Sequence, residues 1–308
     1  MQKVLLRKHD KLDFRANEAF KTLRTNILFS GHDTRVITLT SSTPNEGKSS
    51  LSFQLAVSFA EADNRVLFID ADIRKSVLVG RYKAEGNKFG LTHYLSGQKT
   101  IDDVICNTDI NNMDMIFAGP VSPNPTELLS GDLFADLIGK AREEYDYVII
   151  DAPPLGSVID AALIARHVDG TIIVVESGAI SYKMVQHVKE QLEKGECRIL
   201  GVVLNKVDLD RDSYYGNYYG KYYGKYYGKT MTETAVKEIG DGYVLAETAE
   251  GEIKIPADNR NCGYFFVYPL ENVAFLPLFR YNNKKELTLP QKSSKSKWNK
   301  IKNIVRME

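Results

Sequence analysis

The sequence has little cysteine, no net charge and no long apolar run. Its three cysteines, Cys106, Cys197 and Cys262, are an odd number without a CxxC pair. This usage argues against a disulfide framework or a zinc site and favours a reducing compartment. The formal net charge is zero, so no overall electrostatic attraction points to a nucleic-acid partner. No apolar stretch approaches the ~20 residues of a membrane-spanning helix, and the N-terminus lacks a signal-peptide pattern, so we expect a cytoplasmic chain.

Strands and helices alternate along the first two thirds of the chain. Apolar, β-branched runs predict strands from residue 36 and at 66–69, 148–150, 172–175 and 199–204, with a weaker strand at 113–117. Apolar residues at helical spacing predict helices over 14–29, over 132–144 with Ser130 as the N-cap, and over 182–194. This alternation predicts an α/β fold: a doubly wound, mostly parallel sheet with helices on both faces.

The first strong strand leads into a phosphate-binding loop. Gly47-Lys48-Ser49 opens a helix directly after a polar turn, where unpaired N–H groups and the helix dipole attract an anion. In the P-loop pattern Lys48 reaches the β- and γ-phosphates, and the Ser49 hydroxyl ligates Mg²⁺. Ser42 stands where the pattern has its first glycine. The alternative to a phosphate-binding loop is a Gly-Lys-Ser sequence that occurs here by chance. The predicted nucleotide-binding residues are Pro44, Asn45, Glu46, Gly47, Lys48, Ser49 and Ser50, with Asn45 tolerating a left-handed φ.

Aspartates close the next two strong strands. Asp151 follows a hydrophobic strand, as does the acidic residue that holds Mg²⁺ in P-loop proteins. Asp70 and Asp72 follow another, and we expect them to share metal binding and the duty of general base, with Asp70 among the metal ligands. Arg74 is expected to neutralise charge in the same site. The alternative is that Asp70 and Asp72 only cap the next segment.

A four-residue Tyr-Tyr-Gly repeat follows the sheet. It holds eight of the 17 tyrosines within 14 positions, without aliphatic residues that could form a core, so we expect a flexible tether whose tyrosines serve as substrates. The alternative is a tract that stacks on RNA or self-associates. The candidate phosphorylation sites are Tyr214, Tyr215, Tyr218, Tyr219, Tyr222, Tyr223, Tyr226 and Tyr227.

Taken together, these motifs resemble the bacterial tyrosine kinases (BY-kinases) of the form common in Gram-positive bacteria. The resemblance covers roughly residues 14–229: Walker A at 42–49, the additional Walker A′ at 68–74, Walker B at 149–154 and the tyrosine cluster. It implies a kinase that uses ATP and Mg²⁺ to phosphorylate its own cluster in trans. The same resemblance implies regulation of capsule or exopolysaccharide synthesis, and a membrane adaptor that recruits the chain to the inner face of the cell membrane. It also implies a base-contacting role for Asn205 and a ring-like oligomer.

Glu18, Lys21 and Arg24 form the charged stripe of the first helix. By resemblance to the family's ExxRxxR motif they join subunits in that ring, although a solvated charged face is the alternative. Two further alternatives concern the whole chain. One is a MinD/ParA-like positioning ATPase, whose signature lysine is replaced here by Thr43. The other is a binding module in which nucleotide state regulates polymer export.

Five regions are expected. They are a helical oligomerisation segment (1–34), the P-loop kinase domain (35–208), the tyrosine cluster (209–229), a small β-rich module (230–283) and a basic tail (284–308). The tail carries seven Lys and one Arg against two Glu. Apolar residues at helical spacing beyond 293 suggest a helix that contacts anionic membranes, and a solvated tail is the alternative.

Overall fold

A computed structural model describes residues 1–8 and 12–207, and beyond them the backbone of six short strands. The tyrosine cluster at 209–229 lies outside the described residues, as does the basic tail except for the strand Leu287–Thr288. Among the helices that are described, none combines the length and the apolar character needed to cross a bilayer.

The elements alternate as the sequence predicts. The helices are α1 (Phe14–Phe29), α2 (Lys48–Ala60), α3 (Leu78–Tyr82), α4 (Leu91–Leu95), α5 (Ile101–Val104), α6 (Pro125–Ser130), α7 (Asp132–Glu144), α8 (Asp160–Ala165) and α9 (Tyr182–Lys194). The strands before residue 208 are β1 (Gln2–Lys3), β2 (Leu5–Leu6), β3 (Val36–Ser41), β4 (Val66–Asp70), β5 (Ala84–Glu85), β6 (Cys106–Asn107), β7 (Met113–Ile116), β8 (Tyr147–Asp151), β9 (Gly170–Glu176) and β10 (Ile199–Asn205). Later strands are β11 (Val236–Ile239), β12 (Tyr243–Thr248), β13 (Gly251–Pro256), β14 (Phe266–Tyr268), β15 (Arg280–Tyr281) and β16 (Leu287–Thr288).

The main sheet has the order β1-β6-β7-β4-β8-β3-β9-β10-β14. Its neighbours run parallel except at two places, β6 with β7 and β10 with β14. β3 lies between β8 and β9, and β4 lies beside β8, with Asp70 opposite Asp151 in the register. The predicted mostly parallel sheet is confirmed. Because parallel strands end at the same edge, the loops after β3, β4 and β8 meet there.

Helices cover both faces of the sheet. Every residue of β3 and β4 is buried as a result. α2 packs against β8, β4 and β3, and α1 packs on α2 with Phe20, Leu23 and Ile27 turned into the core. Aromatic pairs join α2 to its surroundings: the Phe59 ring stacks on Tyr147 at 4.1 Å between centroids. This packing fixes α2 and therefore the loop that precedes it.

Of two predictions about helix ends, one is confirmed and the other is wrong. α1 has the predicted bounds, and its N-cap Asp13 accepts a hydrogen bond from the Ala16 amide at 2.7 Å. The prediction that Ser130 caps α7 is wrong. Ser130 ends α6 and donates its hydroxyl to the Glu127 carbonyl, while Gly131 starts α7 without a side-chain cap. Because α6 runs as far as Ser130 and Gly131 is the N-cap of α7, Ser130 is not at the capping position.

Beyond residue 207 only backbone is described. β11, β12 and β13 form a three-stranded antiparallel sheet. The division into five regions stays a prediction.

Candidate active site

The loop between β3 and α2 has a conformation that lets its main-chain N–H groups approach an anion closely. Asn45 has φ of 69° and Gly47 has φ of 87°, both in the left-handed region. The expectation that Asn45 tolerates this conformation is confirmed, and it explains how the loop closes without a glycine there. Gly47 precedes the first turn of α2, so the N–H groups of that turn point out of the helix end.

The buried side chain of Glu46 stabilises this loop through hydrogen bonds. Its carboxylate is buried and accepts hydrogen bonds from the amides of Thr43 and, at 3.1 Å, Glu176. Burial raises the pKa of Glu46, and the hydrogen bonds oppose that rise. The Glu46 carboxylate is thus engaged within the protein, and nucleotide binding by Glu46 stays a prediction. Asn205 donates its amide to the Glu46 carbonyl at 2.8 Å and so braces the same loop.

Lys48 and Asp151 form a buried ion pair. The Lys48 ammonium lies 2.6 Å from a carboxylate oxygen of Asp151, and the two side chains are only 7% and 1% exposed. Ser52 donates to the same oxygen at 3.0 Å, and Lys48 also donates to the Ser49 hydroxyl at 3.3 Å. The two residues that the sequence assigned to phosphate and metal are therefore bonded to each other.

Asp70 completes the charged cluster. It is fully buried at the end of β4, opposite Asp151, and accepts hydrogen bonds from the Ser76 hydroxyl and the Asp72 amide. Burial, and next the negative charge of Asp151, raise the pKa of Asp70 from 3.8 to about 7, against the opposing effect of the Ser76 hydrogen bond. A carboxyl whose pKa lies near neutral pH suits proton transfer.

Asp72 and Arg74 have other neighbours than expected. The chain turns after Asp70, and Asp72 accepts a hydrogen bond from the Lys75 amide at 3.0 Å, which is the capping role left open above. The Arg74 guanidinium makes a two-point contact with the fully buried Asp160, at 2.6 and 3.0 Å, and also donates to Thr126. Asp160 raises the pKa of Arg74 mainly through these hydrogen bonds. Arg74 therefore joins the Walker A′ turn to α8.

Sequence reasoning missed the partners that arrange these groups. Asp160 lies 86 positions from Arg74, and Ser52 lies 99 from Asp151, so no local pattern announces either contact. Ser76 lies only six positions after Asp70, but a serine in a turn has no distinctive signal. Arg81 was also missed: it reaches from α3 to the hydroxyl of Ser50 in the first turn of α2.

The oligomerisation stripe is partly used within the chain. Lys21 pairs with Glu18 at 2.7 Å on the exposed side of α1. Arg24 instead donates to the carbonyl and hydroxyl of Ser58 near the end of α2. Contacts with a second subunit stay a prediction for all three residues.

The donor set suits a magnesium-bound nucleotide. Asp70 and Asp151 are neighbouring carboxylates with a serine hydroxyl, Ser49, close by, and hard oxygen ligands are what Mg²⁺ prefers. Within the described ranges no three Asp, Glu, His or Cys side chains converge as a metal site. The remaining ligands would be phosphate oxygens and water, as is usual for Mg²⁺ bound with a nucleotide.

A parallel sheet, a glycine-lysine-serine loop at a helix N-terminus and an aspartate on the adjacent strand define a P-loop nucleotide-binding protein. Comparison with known proteins narrows the class. A family model described as an AAA domain matches residues 34–199. Tyrosine-protein kinase CpsD of Streptococcus agalactiae is 43% identical over 205 residues, covering 66% of this chain and 90% of that protein. Tyrosine-protein kinase YwqD of Bacillus subtilis (strain 168) is 36% identical over 202 residues, covering 65% and 85%.

Solved structures agree. The kinase domain of the Escherichia coli tyrosine kinase ETK matches with a TM-score of 0.59 at 33% identity, covering 65% of this chain and 82% of that one. The chimerical protein CapA2B2 matches with a TM-score of 0.58 at 35% identity, covering 61% and 83%. This chain belongs to the bacterial tyrosine-protein kinases, the family of CpsD and YwqD, and is a P-loop tyrosine kinase.

Proposed function

We propose that the chain transfers the γ-phosphoryl group of Mg-ATP to tyrosines of its own cluster, between subunits. The observation that carries this proposal is the buried group of Lys48, Asp151 and Asp70 at one edge of the sheet, in contact with the P-loop. It joins a phosphate-binding cation, a metal-binding carboxylate and a carboxyl with a near-neutral pKa. The cluster at 214–227, which every copy of the chain carries, supplies the hydroxyl acceptors.

Each group has one role in this transfer. The loop amides and Lys48 bind phosphate oxygens and stabilise the charge that develops on them. Ser49 and Asp151 would hold Mg²⁺, which would supply positive charge to the phosphates when bound. Asp70 is the general base, since the Asp72 carboxylate is engaged in its own turn. The phenolic oxygen bonds to the γ-phosphorus as the bond from that phosphorus to the β–γ bridging oxygen breaks. The phenolic proton passes to Asp70, and ADP leaves.

The Lys48–Asp151 pair has to open for this chemistry. While the pair is closed, the ammonium that binds phosphate and the carboxylate that binds metal neutralise one another. Phosphate and Mg²⁺ offer each of them a new partner of opposite charge. Nucleotide binding therefore exchanges one buried ion pair for two, which keeps the cost of opening low.

The wider setting follows from the relatives. We propose that the chain regulates capsule or exopolysaccharide synthesis and that a membrane adaptor recruits it to the inner face of the cell membrane. The chimera CapA2B2, which matches this chain, supports a partner fused or bound to the kinase. We further propose a ring-like homo-oligomer joined through Glu18, Lys21 and Arg24, with the five regions described above and the tail from 293 contacting anionic lipid.

The test is phosphotyrosine formation by the purified full chain with Mg-ATP. Wild type should label, and Asp70→Asn should lose activity by orders of magnitude, while Asp102→Asn, an exposed aspartate of α5, serves as the matched control and should retain it. A second arm tests the direction of transfer. A chain whose eight cluster tyrosines are replaced by phenylalanine should label Lys48→Met chains when the two are mixed. ATP hydrolysis without phosphotyrosine would instead favour the positioning-ATPase or regulatory-module alternatives.

A further inference from the structure

A cleft of about 270 Å³ lies at the C-terminal end of α8, away from the P-loop. It is lined by Ser130, Leu163, Arg166 and His167. Two positions after His167, the Asp169 carboxylate accepts hydrogen bonds from the amides of residues 35 and 36, where β3 begins. The P-loop instead follows the end of β3. The cleft therefore lies towards the opposite edge of the sheet from the catalytic cluster.

The cleft presents a guanidinium group that is not engaged elsewhere in the described part of the chain. Arg166 is exposed at the C-cap of α8, and within the described ranges its side chain has no hydrogen-bond or ion-pair partner. The carboxylate of Asp169, close by in the chain, is already paired with Arg142 at 2.8 Å. An arginine whose donors are free beside a concave surface suits a phosphate group, which it can bind at two points.

His167 supplies a second group that can donate to an anion. Its ring meets the buried Phe134 ring edge to face, with centroids 5.7 Å apart, and its carbonyl accepts from Arg142 at 3.4 Å. Burial, and next the positive charge of Arg166, lower the pKa of His167. Two basic groups that disfavour each other's positive charge are both stabilised by an anion bound between them.

The size and the apolar side of the cleft favour an aromatic phosphate over a free phosphate ion. Leu163 and the His167 ring supply apolar surface, and the volume lies just below that of ordinary small-molecule pockets, which suits one side chain. The Ser130 hydroxyl, now 3.2 Å from the Glu127 carbonyl, can rotate to donate to a phosphate oxygen. Inorganic phosphate would use these donors but would leave the apolar surface uncovered.

We propose that this cleft binds a phosphotyrosine side chain of the Tyr-Tyr-Gly-Lys repeat of another copy of the chain, with Arg166 and His167 on the phosphate and the phenyl ring against Leu163. The inference rests on the proposed function, which supplies the phosphotyrosine, and adds to it a site that binds the product. Each phosphate adds about −1.5 to −2 charges to a repeat whose own charged residues are lysines. Arg166 repels the unmodified repeat, so binding follows phosphorylation.

Fluorescence anisotropy with a labelled Tyr-Tyr-Gly-Lys peptide, with and without phosphate on one tyrosine, measures this binding. The protein is the full chain with its eight cluster tyrosines replaced by phenylalanine, so that its own cluster cannot compete. Inorganic phosphate is titrated as a competitor. Arg166→Gln removes the guanidinium, and His167→Phe keeps a ring against Phe134 without the two nitrogens. Arg15→Gln makes the same change at an exposed arginine of α1 and is the matched control.

The phosphopeptide should bind at least about tenfold more tightly than the unmodified peptide. Arg166→Gln should weaken its binding by about tenfold, because charge-assisted hydrogen bonds are lost. His167→Phe should weaken it by a smaller factor, and Arg15→Gln should match the parent chain. All variants should keep the melting temperature of the parent chain.

Phosphopeptide affinity that is unchanged in Arg166→Gln would overturn the site. Inorganic phosphate that competes as well as the phosphopeptide would overturn the assignment to phosphotyrosine, because the apolar surface would then contribute nothing. The peptide is synthetic, so these outcomes do not depend on kinase activity. Absence of phosphotyrosine from the wild-type chain with Mg-ATP would overturn the proposed function in its own assay.

Discussion

Replacing Asp70 with asparagine should stabilise the nucleotide-free protein at pH 8 while removing its activity. Asp70 is fully buried beside Asp151, and both burial and that neighbouring charge disfavour its ionised form. Asparagine has nearly the same shape, can accept from the Asp72 amide and can donate to Ser76, but it carries no charge. The variant therefore keeps the hydrogen-bonding positions and loses the buried carboxylate.

The pKa of Asp70 sets both the size and the direction of the effect. The unfolded chain releases this proton near the ordinary 3.8, whereas the folded chain keeps it until about pH 7. Between these values the folded state binds more protons, so wild-type stability falls as pH rises through this window. The full difference corresponds to about 4 kcal/mol above pH 7 and disappears below about pH 4. The asparagine variant lacks this term at every pH.

Urea unfolding at pH 5 and pH 8, in EDTA and without nucleotide, measures how the contribution of Asp70 to the free energy of unfolding changes with pH. The stability gained by Asp70→Asn should be larger at pH 8 than at pH 5, by about 2 kcal/mol or more. Asp72→Asn is the matched control, because it makes the same change two positions later in a turn that is only partly buried. If Asp70→Asn were destabilising at pH 8, or its effect did not change with pH, the carboxylate pair would not have the electrostatic cost that its burial implies.

Three further changes have outcomes that the packing predicts. Lys48→Met should lower the free energy of unfolding of the nucleotide-free chain by about 3–5 kcal/mol, since it leaves a buried carboxylate unpaired. Adding Asp151→Asn should recover most of this loss in urea titrations, and an unrecovered double variant would contradict the pairing. Arg74→Lys should cost about 1–2 kcal/mol, because lysine keeps the charge but not the two-point contact; an unchanged melting temperature would argue against that contact. Gly90→Ala should lower the free energy of unfolding by about 1–3 kcal/mol, because the added Cβ would lie 2.3 Å from the Phe117 carbonyl oxygen. Gly80→Ala, which has open space around its added Cβ, should be neutral or slightly stabilising.

Much of the fold follows from local patterns. The strands at 36–41, 66–70 and 147–151 are rich in apolar and β-branched residues, which buried parallel strands need on both faces. The spacing of Phe20, Leu23 and Ile27 likewise predicts α1 with its observed bounds. By contrast, the failed Ser130 cap depends on where α6 ends, which its own packing decides.

The sequence by itself determined the P-loop, the two strand-end aspartates and the kinase family, because these are contiguous motifs whose chemistry follows from residue type and spacing. Only the tertiary structure decided which partners those residues take. It pairs Lys48 with Asp151, buries the Glu46 carboxylate, pairs Arg74 with Asp160 and places the Ser76 hydroxyl on Asp70. The physical reason is that hydrogen bonds and ion pairs join residues about a hundred positions apart as readily as neighbours once the sheet has brought their strand ends together.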